Sequence, residues 1–190
     1  MARPSVAVER REQIVDATMT TIAEYGIRGA TLDRIADTAG MSRGHVRHFV
    51  GNRDRLLLDT AVAVFADASG EPGSLLPAEV VDIDGAIDYL FGVPFLSPDR
   101  DNAVVLGLVE LSRTTPEIAN VLTVAYTATR MQLAQLVAQE HPDAAPDACV
   151  TVAYGVLTCA LGSVFLGDFD ADPARMTQSR AAAEALLATL

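Results

Sequence analysis

Thr31, Ser42, Arg43, Gly44, His45, Arg47, His48 and Arg53 gather hydroxyls, imidazoles and guanidinium groups into one short stretch of the chain. These groups suit the binding of a polyanion. A guanidinium presents a planar fork of donors that fits a phosphate or the O6/N7 edge of guanine. A hydroxyl at the start of a helix stands beside backbone N–H groups that attract phosphate oxygens. Bond-breaking chemistry has no comparable support. His141, Cys149 and Cys159 stand outside any arrangement of nucleophile, base and acid. The sequence shows no glycine-rich phosphate loop and no metal-ligand spacing. It therefore predicts no catalytic residues, no metal and no cofactor.

For these groups to act together, short helices must hold them. Thr31 is placed to cap a helix from Leu32 to Ala39, with Leu32, Ile35, Ala36 and Ala39 facing inward. Gly40-Met41 makes a tight turn, and Ser42 caps a helix from Arg43 to about Phe49. Val46, Phe49 and Val50 would dock this helix, leaving Arg43, Gly44, His45, Arg47 and His48 outward. That layout is a helix-turn-helix, whose second helix can enter the major groove of DNA. A preceding helix, Val8 to Tyr25, carries the stripe Ile14, Thr18, Thr21, Ile22 and Tyr25, and Gly26 ends it. Asn52 caps a fourth helix, Arg53 to about Ser69.

Charge distribution favours the same reading. The 190 residues carry a net charge of −11, and all 14 of their Lys/Arg cations are arginine. Taken whole, that balance argues against nucleic acid. Residues 1–55, however, net +2, while residues 56–190 net −13. Between Arg28 and Arg55 lie six arginines and only three acids. A basic module thus precedes an acidic body.

The run from Thr31 to Leu56, TLDRIADTAGMSRGHVRHFVGNRDRL, resembles the DNA-binding signature of the TetR family of transcriptional regulators (TetR/AcrR type). Thr31, Ile35, Ala36, Ala39, Gly40, Ser42, Gly44 and Leu56 match the family pattern directly, and Met41, Val46 and Arg53 are conservative replacements. The caps and helical periods along the chain predict an all-α protein of about nine helices, and the resemblance implies the same class of fold. Residues 1–55 would be a three-helix DNA-binding domain with its recognition helix at about 43–49. Residues 56–190 would form a helical domain for effector binding and dimerisation. It implies that Thr31 contacts phosphate, that Ser42, Arg43 and His45 lie near phosphates and base edges, and that Arg53 replaces a phosphate-holding lysine. Arg47 stands where the family carries a tyrosine. Arg3, on the leading arm, could reach a minor groove.

The body is predicted to be helical throughout. After a turn-rich stretch from Gly70 to Pro77, helices are expected near Asp84–Phe91, Pro98–Thr114 (capped by Ser97), Pro116–Glu140, Asp147–Leu166 and Pro173–Leu190. By resemblance an unidentified small-molecule effector would bind there, with Phe65, Tyr89, Phe91, Phe95, Glu110, Arg113, Tyr126, Arg130, Met131 and Tyr154 as candidate lining residues. Gly155, Cys159, Ser163 and Gly167 recur every fourth residue as a ridge of small side chains, and Ala181, Ala185 and Ala188 follow on the last helix. In the family such helices pair across a two-fold axis, so these seven residues are the expected homodimer interface. The uncharged run from Ala148 to Gly167 is long enough to span a membrane. Its threonines, serine and glycines, without a basic flank, read instead as a buried helix, and no membrane partner is expected. The polar start and the two cysteines lead to a cytoplasmic expectation. The implied function is a ligand-responsive repressor that binds an inverted-repeat operator as a homodimer. An activator or dual regulator would carry the same DNA-binding module.

Overall fold

The computed structural model describes residues 6–67, 69–96, 100–170 and 172–190. Arg3 and the Ser97-Pro98 cap lie outside them. Among the described residues there are ten helices: α1 (Val6–Gly29), α2 (Leu32–Thr38), α3 (Arg43–Val50), α4 (Arg53–Val64), α5 (Ile83–Leu90), α6 (Val93–Leu96), α7 (Arg100–Ser112), α8 (Pro116–Glu140), α9 (Pro146–Leu166) and α10 (Arg175–Leu187). The fold is all-α with an N-terminal helix-turn-helix. The helix beyond the expected nine is α6, a single turn. The expected starts of α2, α3, α4 and α8 hold.

Two compact units divide the chain. Of the described residues, the first comprises 6–66, 70–72 and 100–122; the second comprises 67, 69, 73–96, 123–170 and 172–190. In the first unit α1 packs against α2, α3, α4 and α7. Its apolar residues recur with the helical period, so one stripe is buried: Ile14, Ala17, Ile22 and Ile27 are core, as are Ile35, Val46, Leu56, Leu57 and Leu108 on the helices that pack against α1. Thr18 and Thr21 are buried on this stripe because their hydroxyls donate to the carbonyls of Ile14 and Ala17, both at 2.7 Å. Tyr25, expected on the stripe, is 52% exposed. Gly107 lets α7 approach α1, since a Cβ there would stand 3.3 Å from both Ile22 and Ile27. Exposed ion pairs join the same helices, Arg100 with Asp16 at 2.7 Å and Arg28 with Glu110 at 3.2 Å. Each contributes little, about 0–1 kcal/mol, so burial holds the pair together.

Helix α4 stops at Val64, short of the expected Ser69. Past Phe65 the Asp67 carboxylate accepts from both the amide (2.7 Å) and hydroxyl (2.5 Å) of Ser69. This local bonding offers the backbone an alternative to another helical turn.

The second unit is built on α9. Val152, Ala153, Val156, Leu157, Ala160 and Val164 pack with Ile87 and Leu90 of α5, Leu96 of α6, Leu133 and Val137 of α8, and Ala183 of α10. Helix α9 is long and apolar enough to cross a membrane, and 44% of its apolar window is buried in the fold. It serves there as a core helix with one face outward.

The ridge of small residues faces inward within the chain, which corrects its expected place in a dimer interface. A Cβ on Gly155 would meet Leu186 of α10 at 2.7 Å. The Cys159 carbonyl accepts the Ser179 hydroxyl at 2.8 Å. Ser163 is 2% exposed, and Gly167 lies against the Arg175 guanidinium. The ridge admits α10 closely, as small side chains do for any helix partner, and here that partner belongs to the same chain. Ala181, Ala185 and Ala188 are exposed.

Candidate nucleic-acid interface

Three side-chain caps set the interface. Thr31 Oγ1 accepts from Arg34 N at 3.4 Å, Ser42 Oγ from His45 N at 3.2 Å, and Asn52 Oδ1 from Arg55 N at 2.8 Å. Each cap residue is in extended backbone, so each helix starts sharply. Two glycines with positive φ make the reversals possible: Gly40 (φ 64°) between α2 and α3, and Gly51 (φ 77°) after α3.

Helix α3 is amphipathic as expected. Val46 and Val50 are buried, while Ser42, Arg43, Gly44, His45, Arg47 and His48 are exposed. Phe49, expected to dock, is half-buried and lies between two imidazoles. Its ring centroid is 5.0 Å from that of His45 and 5.2 Å from that of His48. The two histidines are thus steadied by an aromatic spacer at the edge of the exposed face.

The arginines from Arg28 to Arg55 divide by partner. Arg28 pairs with Glu110, Arg43 with Asp33 at 3.1 Å, and Arg55 with Asp59 at 2.9 Å. Arg34 donates to the Gly29 carbonyl at 3.0 Å and lies 4.6 Å over the Tyr25 ring. Arg53 donates through Nε to the Ala30 carbonyl at 2.7 Å and through Nη2 to the Ile27 carbonyl at 2.5 Å. Arg47 alone among these six has no ion pair or hydrogen bond among the described residues. Sequence reasoning brought Thr31, Ser42, Arg43, Gly44, His45, Arg47 and His48 to the surface of one motif. It did not foresee that Arg53 would face the protein's own backbone, because the signal for that, the carbonyl-bearing turn at 27–30, lies far from Arg53 in sequence.

The candidate effector residues are divided between the two units. Phe65, Glu110 and Arg113 belong to the first unit, where Phe65 is core, Glu110 is paired with Arg28, and Arg113 is exposed. Tyr89, Phe91, Phe95, Tyr126, Arg130, Met131 and Tyr154 belong to the second. There Phe91 is core, while Met131 and Tyr154 are largely exposed. Tyr89 and Phe95 pack with ring centroids 5.6 Å apart. Burial pushes the Tyr89 and Tyr126 phenols above their ordinary pKa.

The first unit holds a cavity of about 430 Å³ lined by residues including Asp54, Leu57, Leu58, Leu111, Glu117 and Ile118. The second holds a groove of about 400 Å³ that includes Met131, Gln135, His141, Pro146, Cys149 and Val150. Met131 is the candidate that lines either space. No group of metal-binding side chains occurs among the described residues.

Residues 14–60 match the bacterial regulatory proteins of the tetR family. The chain is similar to the HTH-type transcriptional regulator BetI of Stenotrophomonas maltophilia, with 40% identity over 99 residues, covering 46% of this chain and 49% of that protein. It therefore spans about half the length of this curated relative. The fold is shared with a solved protein of Pseudomonas aeruginosa PAO1 described as a transcriptional regulator, at TM-score 0.73 and 20% identity over 96% of this chain and 90% of that one. It is also shared with one from Saccharomonospora viridis solved in complex with choline, at TM-score 0.71 and 16% identity over 95% and 96% of the two chains.

Proposed function

We propose that this chain, whose residues 14–60 match the tetR family, is a DNA-binding transcriptional regulator of that family rather than an enzyme. Our finer reading is a cytoplasmic repressor. As a homodimer it binds an inverted-repeat operator, and a small-molecule effector bound to the body releases it. The observation that carries the DNA-binding reading is α3 itself. Its buried Val46 and Val50 fix the helix, and its outward Arg43, His45, Arg47 and His48 form a cationic, hydrogen-bonding face. Thr31 and Ser42 stand beside it at the starts of α2 and α3, where backbone N–H groups can meet phosphates.

For dimerisation the structure favours another face of α9 than the small-residue ridge. Val150, Tyr154, Thr158 and Phe165 are exposed, with half-buried Leu161 between them, at helical spacing. A largely apolar exposed stripe of this length marks a partner surface, and a second copy of the chain can present the same stripe to it. Exposed Ala181, Ala185 and Ala188 offer α10 as a low-profile neighbour. For the effector we favour the half-buried aromatics Tyr89, Phe95 and Tyr126. Choline is the first compound to try, because aromatic faces accept quaternary ammonium groups and a structural neighbour holds it.

Titration of duplex DNA at increasing salt tests the reading. Affinity should fall steeply, because phosphate contacts release condensed counterions. A flat response would reject DNA binding. Release of the bound duplex by choline tests the effector separately.

A further inference from the structure

We infer that Arg53 is a positioning residue of the helix-turn-helix: it locks the α1–α2 turn onto the start of α4 instead of holding a DNA phosphate. The inference rests on the DNA-binding reading for its functional meaning and on the geometry of the first unit for its content.

The turn creates the need. Gly26 (φ 70°, ψ 167°) interrupts α1 and the helix stops at Gly29, so the carbonyls of this last short turn, from 26 to 30, lie past the regular helical ladder. Backbone donors return to only some of them. Ala30 N reaches Gly26 O at 3.2 Å, and Thr31 N reaches Gly29 O at 2.8 Å. The carbonyls of Ile27 and Ala30 receive Arg53, at 2.5 and 2.7 Å. Arg34 adds a second guanidinium on Gly29 O while covering Tyr25. Two cations therefore stand where the broken helix presents its negative end, as helix C-termini favour.

The chemistry selects arginine. Nε and Nη2 form one edge of a rigid fork, so one side chain meets two carbonyls three residues apart. A lysine carries a single compact ammonium on a flexible stem and cannot hold both in a fixed geometry. Arg53 is the first residue of α4, directly after the Asn52 cap. The turn it grips ends one residue before Thr31, the cap of α2. Fixing Ala30 thus fixes where α2 begins, and with it the phosphate-facing hydroxyl of Thr31. The Arg53 side chain is 31% exposed, as expected for a group turned toward the protein.

Arg53→Lys and Arg53→Ala discriminate this role from phosphate binding. In the DNA-free, full-length protein, both variants should speed amide hydrogen exchange at residues 27–35 and lower the thermal midpoint by about 3–8 °C. Unchanged exchange in that segment overturns the inference, whether or not the protein binds DNA. With random-sequence duplex DNA, both variants should keep the wild-type slope of log affinity against log salt. With a duplex selected from a random pool by the wild-type protein, both should lose affinity about 10-fold at a temperature where each is fully folded. If Arg53→Ala reduces the salt slope by about 1 and Arg53→Lys restores it, Arg53 holds a phosphate and the inference fails. If wild-type protein binds neither duplex, the DNA-binding reading fails, and the exchange measurement still decides the clasp.

Discussion

Arg47 stands out among the arginines of the helix-turn-helix because no ion pair or hydrogen bond among the described residues competes for it. Arg43 must leave Asp33, 3.1 Å away, before it can bind a phosphate fully. Arg47 has no such partner among the described residues and lies on the exposed face of α3. Arg47→Ala should therefore weaken binding to a selected duplex by about 1–3 kcal/mol, or roughly 5- to 150-fold. Arg43→Ala should cost less, because part of its charge already serves an internal pair. Competition binding of the two variants against one labelled duplex checks the order, and a larger loss for Arg43→Ala would contradict it. Gly51 is constrained differently. Its φ of 77° lies in the left-handed region, and no atom stands within 4 Å of the Cβ that alanine would add. Gly51→Ala should thus cost about 1 kcal/mol from backbone strain alone, measured as a lower denaturant midpoint with an unchanged m-value.

At the scale of the element, α9 and α10 show how one hydrogen bond displaces another. Thr18, Thr21, Thr60 and Thr129 are buried with their hydroxyls donating to the carbonyl four residues back. Ser163 is as deeply buried, but its Oγ has no partner among the described residues, and the carbonyl four residues back, on Cys159, already accepts Ser179. Ser163→Ala should therefore leave stability unchanged or raise it by about 1 kcal/mol, since it removes a buried unpaired hydroxyl. Gly155→Val should do the reverse by driving a side chain into Leu186, costing about 1–3 kcal/mol of overpacking. Thermal unfolding of both variants reads the difference. These cases also separate what was legible in the sequence from what was not. The caps at Thr31, Ser42 and Asn52 and the breaks at Gly26, Gly40 and Gly51 follow from residues adjacent in the chain, so they could be read directly. The period of small residues on α9 was equally visible, but periodicity identifies a face without naming its partner. The same limit hid Arg53 on Ile27 and Ala30, Glu110 on Arg28, and α7 against α1, because each is a tertiary choice between distant segments.

For the molecule as a whole, the division of charge and the outward face of α9 bear on how two copies would meet DNA. Residues 56–190 carry −13 against +2 for residues 1–55. In a DNA-binding protein such an acidic body would disfavour contact with a polyanion and lower non-specific affinity, leaving the basic head as the attractive surface. A dimer would set two recognition helices about one helical turn of DNA apart, near 34 Å, and so require an approximate inverted repeat. The proposed dimer face makes that arrangement testable without DNA. Phe165 is 56% exposed and packs edge-on against Phe169, which is 65% exposed; Tyr154, at 58%, lies three turns earlier on α9. Leaving such a stripe in water costs about 25 cal/mol per Å², which association would recover. Phe165→Asp should introduce a charge that a symmetric interface meets as a like-charge pair, shifting the protein from dimer to monomer in sedimentation at micromolar concentration. Because Phe165 points away from the core of its own unit, the far-UV spectrum should be unchanged. Dissociation without unfolding would assign the interface to this stripe, whereas an intact Phe165→Asp dimer would place it on another face of the molecule.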